Sequence, residues 1–296
     1  MRLCFFILLM ASLLLGACAS GDKVLQTPTA LPLVLNTATT APTATVASVL
    51  STAPQPTDPP RPSKTVAPSP SPPAASASLL HVPGDHATIQ AAIDASQSGD
   101  EIVVSPGTYR ENIDYQGKNI ILRSTDPSDP ELVAATVLDG GGRGSVVTFQ
   151  SGETIRAVLA GFTITNGSGN LFLPSSRNKE RSCRGSVFGS PEVERYCGGG
   201  IVVDGAWPSI EHNVITGNRA RHGGGGIFVT SSAFPTLRNN TITANTASAG
   251  AGLFVINSSA PRIEGNVIDR NRADEQGGGI LVELMASAVI RKLSLI

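Results

Sequence analysis

A repeat dominates this chain. From residue 198 onward the order glycines, apolar triplet, Pro-x-aliphatic, Asn-x-Ile, Asn recurs, as in GGGGIFVTSSAFPTLRNNTITANTA at 223–247. Aligned on the residue after the glycines, Ile201, Ile227, Leu253 and Ile280 open successive units at spacings of 26, 26 and 27 residues. A second apolar station follows at Ile210, Leu237, Ile263 and Ile290, and a third at Ile215, Ile242, Ile268 and Leu295. Three stations per unit predict three short strands per coil, and Gly and Asn turns favour strands over helical repeats. The expected fold is all-β, a single-stranded parallel β-helix of about 26-residue coils stacked about 4.8 Å apart.

Ahead of the explicit repeat, HATIQAAIDASQSGD at 86–100 places Ile89, Ala92 and Ile93 on one helical face. Asp85 or Thr88 supplies the cap, so a short helix is predicted to close the N-terminal end of the solenoid. Strand-length apolar runs then follow at 101–105, 119–124, 135–140, 145–150 and 157–165, each stopped by Gly, Pro, Asn or Asp. The opening HATIQAAIDASQSGDEIVVSPGTYRENI together with the GGGI…PxI…NxI…N units resembles right-handed parallel β-helix proteins of the pectin-lyase-like superfamily. That resemblance covers about residues 79–296 and is specific for fold but weak for activity.

In such a solenoid the aligned residues lie above one another, and four columns are informative. Asn213, Asn240 and Asn266 form one and Asn218, Asn245 and Asn271 another. They read first as hydrogen-bonded structural ladders and second as sugar-binding amides. Glu211, Arg238, Glu264 and Arg291 alternate in charge and read as an outward ion ladder. Trp207 and Phe234, just before Pro208 and Pro235, offer adjacent aromatic faces on which a sugar ring can stack, with Asp204 and His212 near in sequence as polar partners. The glycines at 198–200, 223–226, 250–252 and 277–279 read as corner residues needing positive φ or close backbone approach.

Superfamily enzymes imply particular motifs, and none is matched well. Hydrolase-like paired acids are missing, and Arg221-His222-Gly223 is only a partial echo of a Gly-His-Gly motif. Lyase-like Ca²⁺ binding needs clustered carboxylates, and the late cluster Asp269, Asp274 and Glu275 is interrupted by Arg270 and Arg272. No catalytic residue is assigned and no cofactor is implied, Ca²⁺ entering only under a lyase alternative. The last unit, GGGILVELMASAVIRKLSLI, replaces the column asparagine by Leu293, and a truncated reading frame or an end covered by a partner is expected there.

The first quarter of the chain is a different material. Arg2, an apolar run at 3–15 and the small pair Gly16-Ala17 have the layout of a secretory signal peptide. Leu15-Gly16-Ala17-Cys18 resembles a bacterial lipobox, which implies lipidation of Cys18 and anchorage of an exported, surface-exposed protein to the cell envelope. Residues 19–78 hold 12 of the 21 prolines, no aromatic residue and one glycine, so they cannot bury enough apolar surface to order themselves. They are expected to form a disordered Pro/Thr/Ala-rich stalk spanning up to ~190 Å. The expected division is a signal peptide at 1–17, a lipid-anchored linker at 18–78 and the β-helix domain at 79–296.

Of the four cysteines, Cys183 and Cys197 remain after export and lipidation, and an oxidising compartment favours their pairing, worth about 3 kcal/mol. The segment Leu171–Tyr196 that they staple is basic, with Arg177, Lys179, Arg181, Arg184 and Arg195 among only three acids. A net charge of −1 gives no long-range field for nucleic acid. The expected partners are the membrane, through Cys18, and a polysaccharide or cell-surface glycan.

Overall fold

Each apolar station of the repeat lies in a strand, the first stations opening theirs and the second stations centring theirs, and like stations pair across coils. The computed structural model describes residues 77–172 and 195–295. In it Ile201 pairs in register with Ile227, Ile227 with Leu253 and Leu253 with Ile280. The second stations align as Ile210, Leu237, Ile263 and Ile290, and the third as Ile215, Ile242, Ile268 and Leu295. Three parallel sheets of six, eight and seven strands result, one for each station.

The irregular front half joins the same columns. Val147 and Ile113 continue the first sheet, Leu159, Leu122 and Ile102 the second, Ile164 and Leu138 the third. The run at 157–165 is two strands, Val158–Ala160 and Thr163–Thr165, separated by Gly161 at φ 79°. Strand alternation sends these stations inward, and Ile201, Ile210, Ile215, Ile227, Leu237 and Leu253 are fully buried in one continuous core. Each such side chain contributes about 1.5–3 kcal/mol by leaving water.

A helix at Ile89–Ala95 covers the first coils with Ile89, Ala92 and Ile93. Thr88 caps it by accepting the Ala91 N–H at 3.2 Å, while the Glu111 carboxylate accepts the Ile89 and Gln90 N–H groups at 3.0 and 2.9 Å. Asp85 instead accepts the His81 N–H at 2.8 Å, stapling the turn before the helix. A second helix at Pro130–Ala135, unmarked by any repeat, starts at the cap Asp129 with proline in its first turn, where its missing N–H has no partner to lose.

Two features lie beyond the three-strand expectation. Asn170–Phe172 and Arg195–Cys197 pair antiparallel, unlike the parallel strands of the three sheets. Phe172 returns its ring to Phe228 at a centroid distance of 5.3 Å. Cys197 is disulfide-bonded. The expected partner Cys183 lies outside the described residues, as do the signal segment 1–17, Cys18, the linker to residue 76 and the basic residues Arg177, Lys179, Arg181 and Arg184. The second feature is an extra strand in the late coils, Thr246–Ala249 pairing in parallel with Arg272–Gln276.

The glycine blocks make room for that extra strand. A Cβ on Gly225 would stand 2.5 Å from the Thr246 carbonyl oxygen and 2.8 Å from that of Ala251. One on Gly199 would meet the Gly225 oxygen at 2.4 Å and the Arg219 backbone at 3.0 Å. Close backbone approach is thus the main demand at these two positions, and Gly198 and Gly224, at φ 70° and 65°, meet the conformational one.

Candidate functional site

The asparagine columns form two continuous hydrogen-bonded ladders. Asn240 Oδ1 accepts both the N–H and the side-chain N–H of Asn213, and Asn266 Oδ1 does the same for Asn240. Asn218, Asn245 and Asn271 repeat the arrangement at the next corner. Five of the six are buried, and their Nδ2 groups also donate to strand carbonyls such as Ile210 O and Ile215 O at 2.8 Å. Buried amides so engaged are structural and unavailable to a sugar.

The residue before each ladder asparagine turns the chain through the left-handed region. His212 has φ 57°, Asn239 53°, Gly265 67°, Ala244 53° and Arg270 49°. This fixes the place of His212, whose Nε2 lies 3.3 Å from Asn239 Nδ2 at the corner between the second and third sheets.

Trp207 and Phe234 occupy a different corner, between the first and second sheets. Their neighbours explain the outward aim: Ala206 and Ala233 are buried, and the following Pro208 and Pro235 start the next strand, where no N–H is needed. A residue before proline is held extended. The Phe234 N–H donates to Ala206 O at 3.3 Å, which sets the two coils in register. The ring centroids stand 6.1 Å apart with planes at 58°, and the side chains are 48% and 47% exposed. The pair therefore presents two angled apolar facets, with exposed Ile155 in the matching turn of the preceding coil.

The four candidate ligand residues are not one constellation. Trp207 and Phe234 meet; His212 sits five residues of mostly extended chain from Trp207, roughly 16 Å along the strand. Asp204 is buried at the end of the strand that leads into the Trp207 corner. Sequence proximity misled for His212, because the strand Ser209–Glu211 carries it to the next corner.

Beneath this corner lies a group that no motif signalled. Glu153 is fully buried, its two carboxylate oxygens accepting the Gly117 N–H at 2.8 Å and the Ser151 N–H at 3.0 Å, while its carbonyl accepts the Trp207 N–H at 2.7 Å. A buried glutamate just after a Gly turn was the only available signal.

Several acids elsewhere are engaged with arginine partners. In the charge column Glu211 faces Arg238 at 3.7 Å, and Glu264 pairs with Arg262 at 3.1 Å. Asp269 pairs with Arg270 and Asp274 faces Arg272 at 3.9 Å, so two of the three acids of the late cluster face arginines, while Glu275 is exposed. No group of three His, Cys, Asp or Glu side chains placed to hold a metal ion occurs among the described residues. The carboxylates with displaced acidity, Asp85, Asp126, Asp139 and Glu264, are all stronger acids than usual, held ionised mainly by hydrogen bonds from His81, Ser128, Gly141 and Arg262 respectively. A general acid requires the opposite shift. His222 Nδ1 accepts the Tyr196 N–H at 3.0 Å, tying the strand Arg195–Cys197 to the next coil.

Residues 135–292 match the family described as right handed beta helix region. The chain belongs to the right-handed β-helix family. This β-helix protein is also similar to two crystal structures of the pectin methylesterase from Aspergillus niger, one deglycosylated and one penultimately deglycosylated. Identity is 14% and 13% and the TM-scores are 0.32 and 0.30, with 76% of this chain and 87% of the esterase covered in each case. No curated protein matches the chain.

Proposed function

We propose that the protein is a lipid-anchored surface protein whose β-helix is a module for polysaccharide binding or adhesion. The observation that carries this reading is the Trp207–Phe234 pair, two half-exposed aromatic rings on successive coils of a rigid scaffold. Sugar rings have apolar faces and hydroxyl rims, and stacking on fixed aromatic facets recovers apolar burial with little entropy to lose. The layout of residues 1–18 supports export and anchorage through Cys18, and the composition of 19–78 supports display at a distance from the membrane.

Binding of the full chain to a glycan array tests the reading. Trp207→Ala with Phe234→Ala is expected to abolish the signals of the wild type while leaving the melting temperature nearly unchanged; an identical profile overturns the aromatic site. Metabolic labelling with a fatty-acid analogue, lost in Cys18→Ser, tests the anchor. Under the lyase alternative, incubation with polyuronates would release unsaturated, ultraviolet-absorbing products in a chelator-sensitive manner.

A further inference from the structure

The extra strand of the late coils builds a second surface, at the corner between the third and first sheets and away from Trp207. Its three rungs are Arg219-Ala220-Arg221, Thr246-Ala247-Ser248 and Arg272-Ala273-Asp274, with Arg219 bridging to Thr246 and Thr246 pairing with Arg272. The middle column points inward, where Ala220, Ala247 and Ala251 form a small buried cluster with Ala273 against it. The flanking columns point outward, and Arg219, Arg221, Thr246, Arg272 and Asp274 are exposed. Together they line an open groove of about 260 Å³.

We propose that this groove binds an anionic polysaccharide, with Arg219, Arg221 and Arg272 taking its carboxylate or sulfate groups and Thr246 and Ser248 taking hydroxyls between them. The charge balance favours an anion: three guanidinium groups face one groove carboxylate, Asp274, which stands 3.9 Å from Arg272. Glu275 is the other exposed acid on that strand. Arg219 and Arg221 make no ion pair with any carboxylate among the described residues, so their forked donors are available for bidentate contact. The spacing favours an extended ligand. Arg219 and Arg272 are two coils apart, about 10 Å, and Arg219 and Arg221 are two strand residues apart, about 7 Å. A compact phosphate would not span these positions. Among the described residues the groove is lined by no aromatic side chain on which bases could stack, which disfavours single-stranded nucleic acid. The glycine blocks belong to this site as well, because Gly199 and Gly225 admit the backbone that carries it.

The inference rests on the proposed polysaccharide reading for the polymer but not for the residues, so the two fail separately. The test is affinity electrophoresis of the full chain in detergent through gels containing dextran, carboxymethyl dextran, dextran sulfate or single-stranded RNA. Retardation by the two charged dextrans is expected, reduced about tenfold in apparent affinity by Arg219→Gln with Arg221→Gln, and equally present in Trp207→Ala with Phe234→Ala. Arg219→Lys with Arg221→Lys keeps the charge without the fork and is expected to fall between. The charge-matched control Arg110→Gln with Arg143→Gln is expected to bind as the wild type does. Unchanged retardation in the groove variant, an equal loss in the control, or stronger retardation by RNA than by dextran sulfate overturns the proposal. Loss of neutral-glycan binding in the aromatic variant bears on the proposed function alone.

Discussion

Asn213 gives its backbone N–H and its side-chain N–H to a single oxygen, Oδ1 of Asn240, at 3.0 and 3.1 Å. Asn240 in turn donates to Ile210 O and to Asn266 Oδ1 at 2.8 and 2.9 Å. Replacing Asn240 by the near-isosteric Leu leaves the Asn213 N–H buried without its acceptor and removes the Nδ2 donors to the Ile210 carbonyl and Asn266 Oδ1, an orphaned buried donor alone costing about 1–3 kcal/mol. Asn240→Leu is expected to lower unfolding stability by about 3 kcal/mol, measured by urea denaturation; a change within half a unit of zero would show that water enters the corner.

A second test concerns the buried carboxylate below Trp207. Both Glu153 oxygens accept backbone N–H groups. In Glu153→Gln the new NH₂ must face one of those donors, so an almost isosteric change is expected to destabilise by about 1–3 kcal/mol. Thermal unfolding measures it, and the Trp207 fluorescence maximum should shift, since that residue hangs from the Glu153 carbonyl.

Gly225→Ala separates steric from conformational glycine demands. Its Cβ would meet two backbone oxygens, Thr246 O at 2.5 Å and Ala251 O at 2.8 Å, neither of which can swing aside. We expect a loss of about 1–3 kcal/mol from overpacking. Hydrogen exchange should speed up selectively at 246–249; uniform acceleration over the whole module would contradict this account.

The pH dependence follows from Asp139. Its Oδ1 accepts the Gly141 N–H and the Asn166 Nδ2–H, both at 2.8 Å, and these bonds lower its pKa below the ordinary 3.8. A depressed folded-state pKa gives stability that is fully present above the unfolded value and is lost as pH falls through the folded one. Stability should therefore drop with acidification below about pH 4, and Asp139→Asn should flatten that part of the profile. An unaltered profile in the variant would assign the acid sensitivity to other groups.

Much of the scaffold was legible in the sequence because stacking is a column-by-column constraint. Ile201, Ile210 and Ile215 each must match the residue one coil away, and that repetition is visible without coordinates. The turn before each asparagine was not legible, since His212, Asn239, Gly265, Ala244 and Arg270 share a backbone conformation but no side-chain chemistry. The extra strand escaped for a similar reason: Arg219-Ala220-Arg221, Thr246-Ala247-Ser248 and Arg272-Ala273-Asp274 have only the small central residue in common. In the candidate site, Trp207 and Phe234 were readable as column neighbours, whereas His212 was grouped with them by chain distance, which the intervening strand Ser209–Glu211 does not respect.

The two amide ladders also have a direction. Every rung passes its N–H groups to the oxygen of the following coil, from Asn213 to Asn240 to Asn266 and from Asn218 to Asn245 to Asn271. The side-chain dipoles thus align along the axis and polarise one another in one sense. Duplication or deletion of a complete coil preserves that sense and keeps both ladders continuous, rungs of 26 and of 27 residues serving alike, while a break within a coil interrupts them. The corner asparagines therefore act as a length standard for gene rearrangement, permitting the module to grow or shrink only in complete coils, with its outward faces kept on the same bearings.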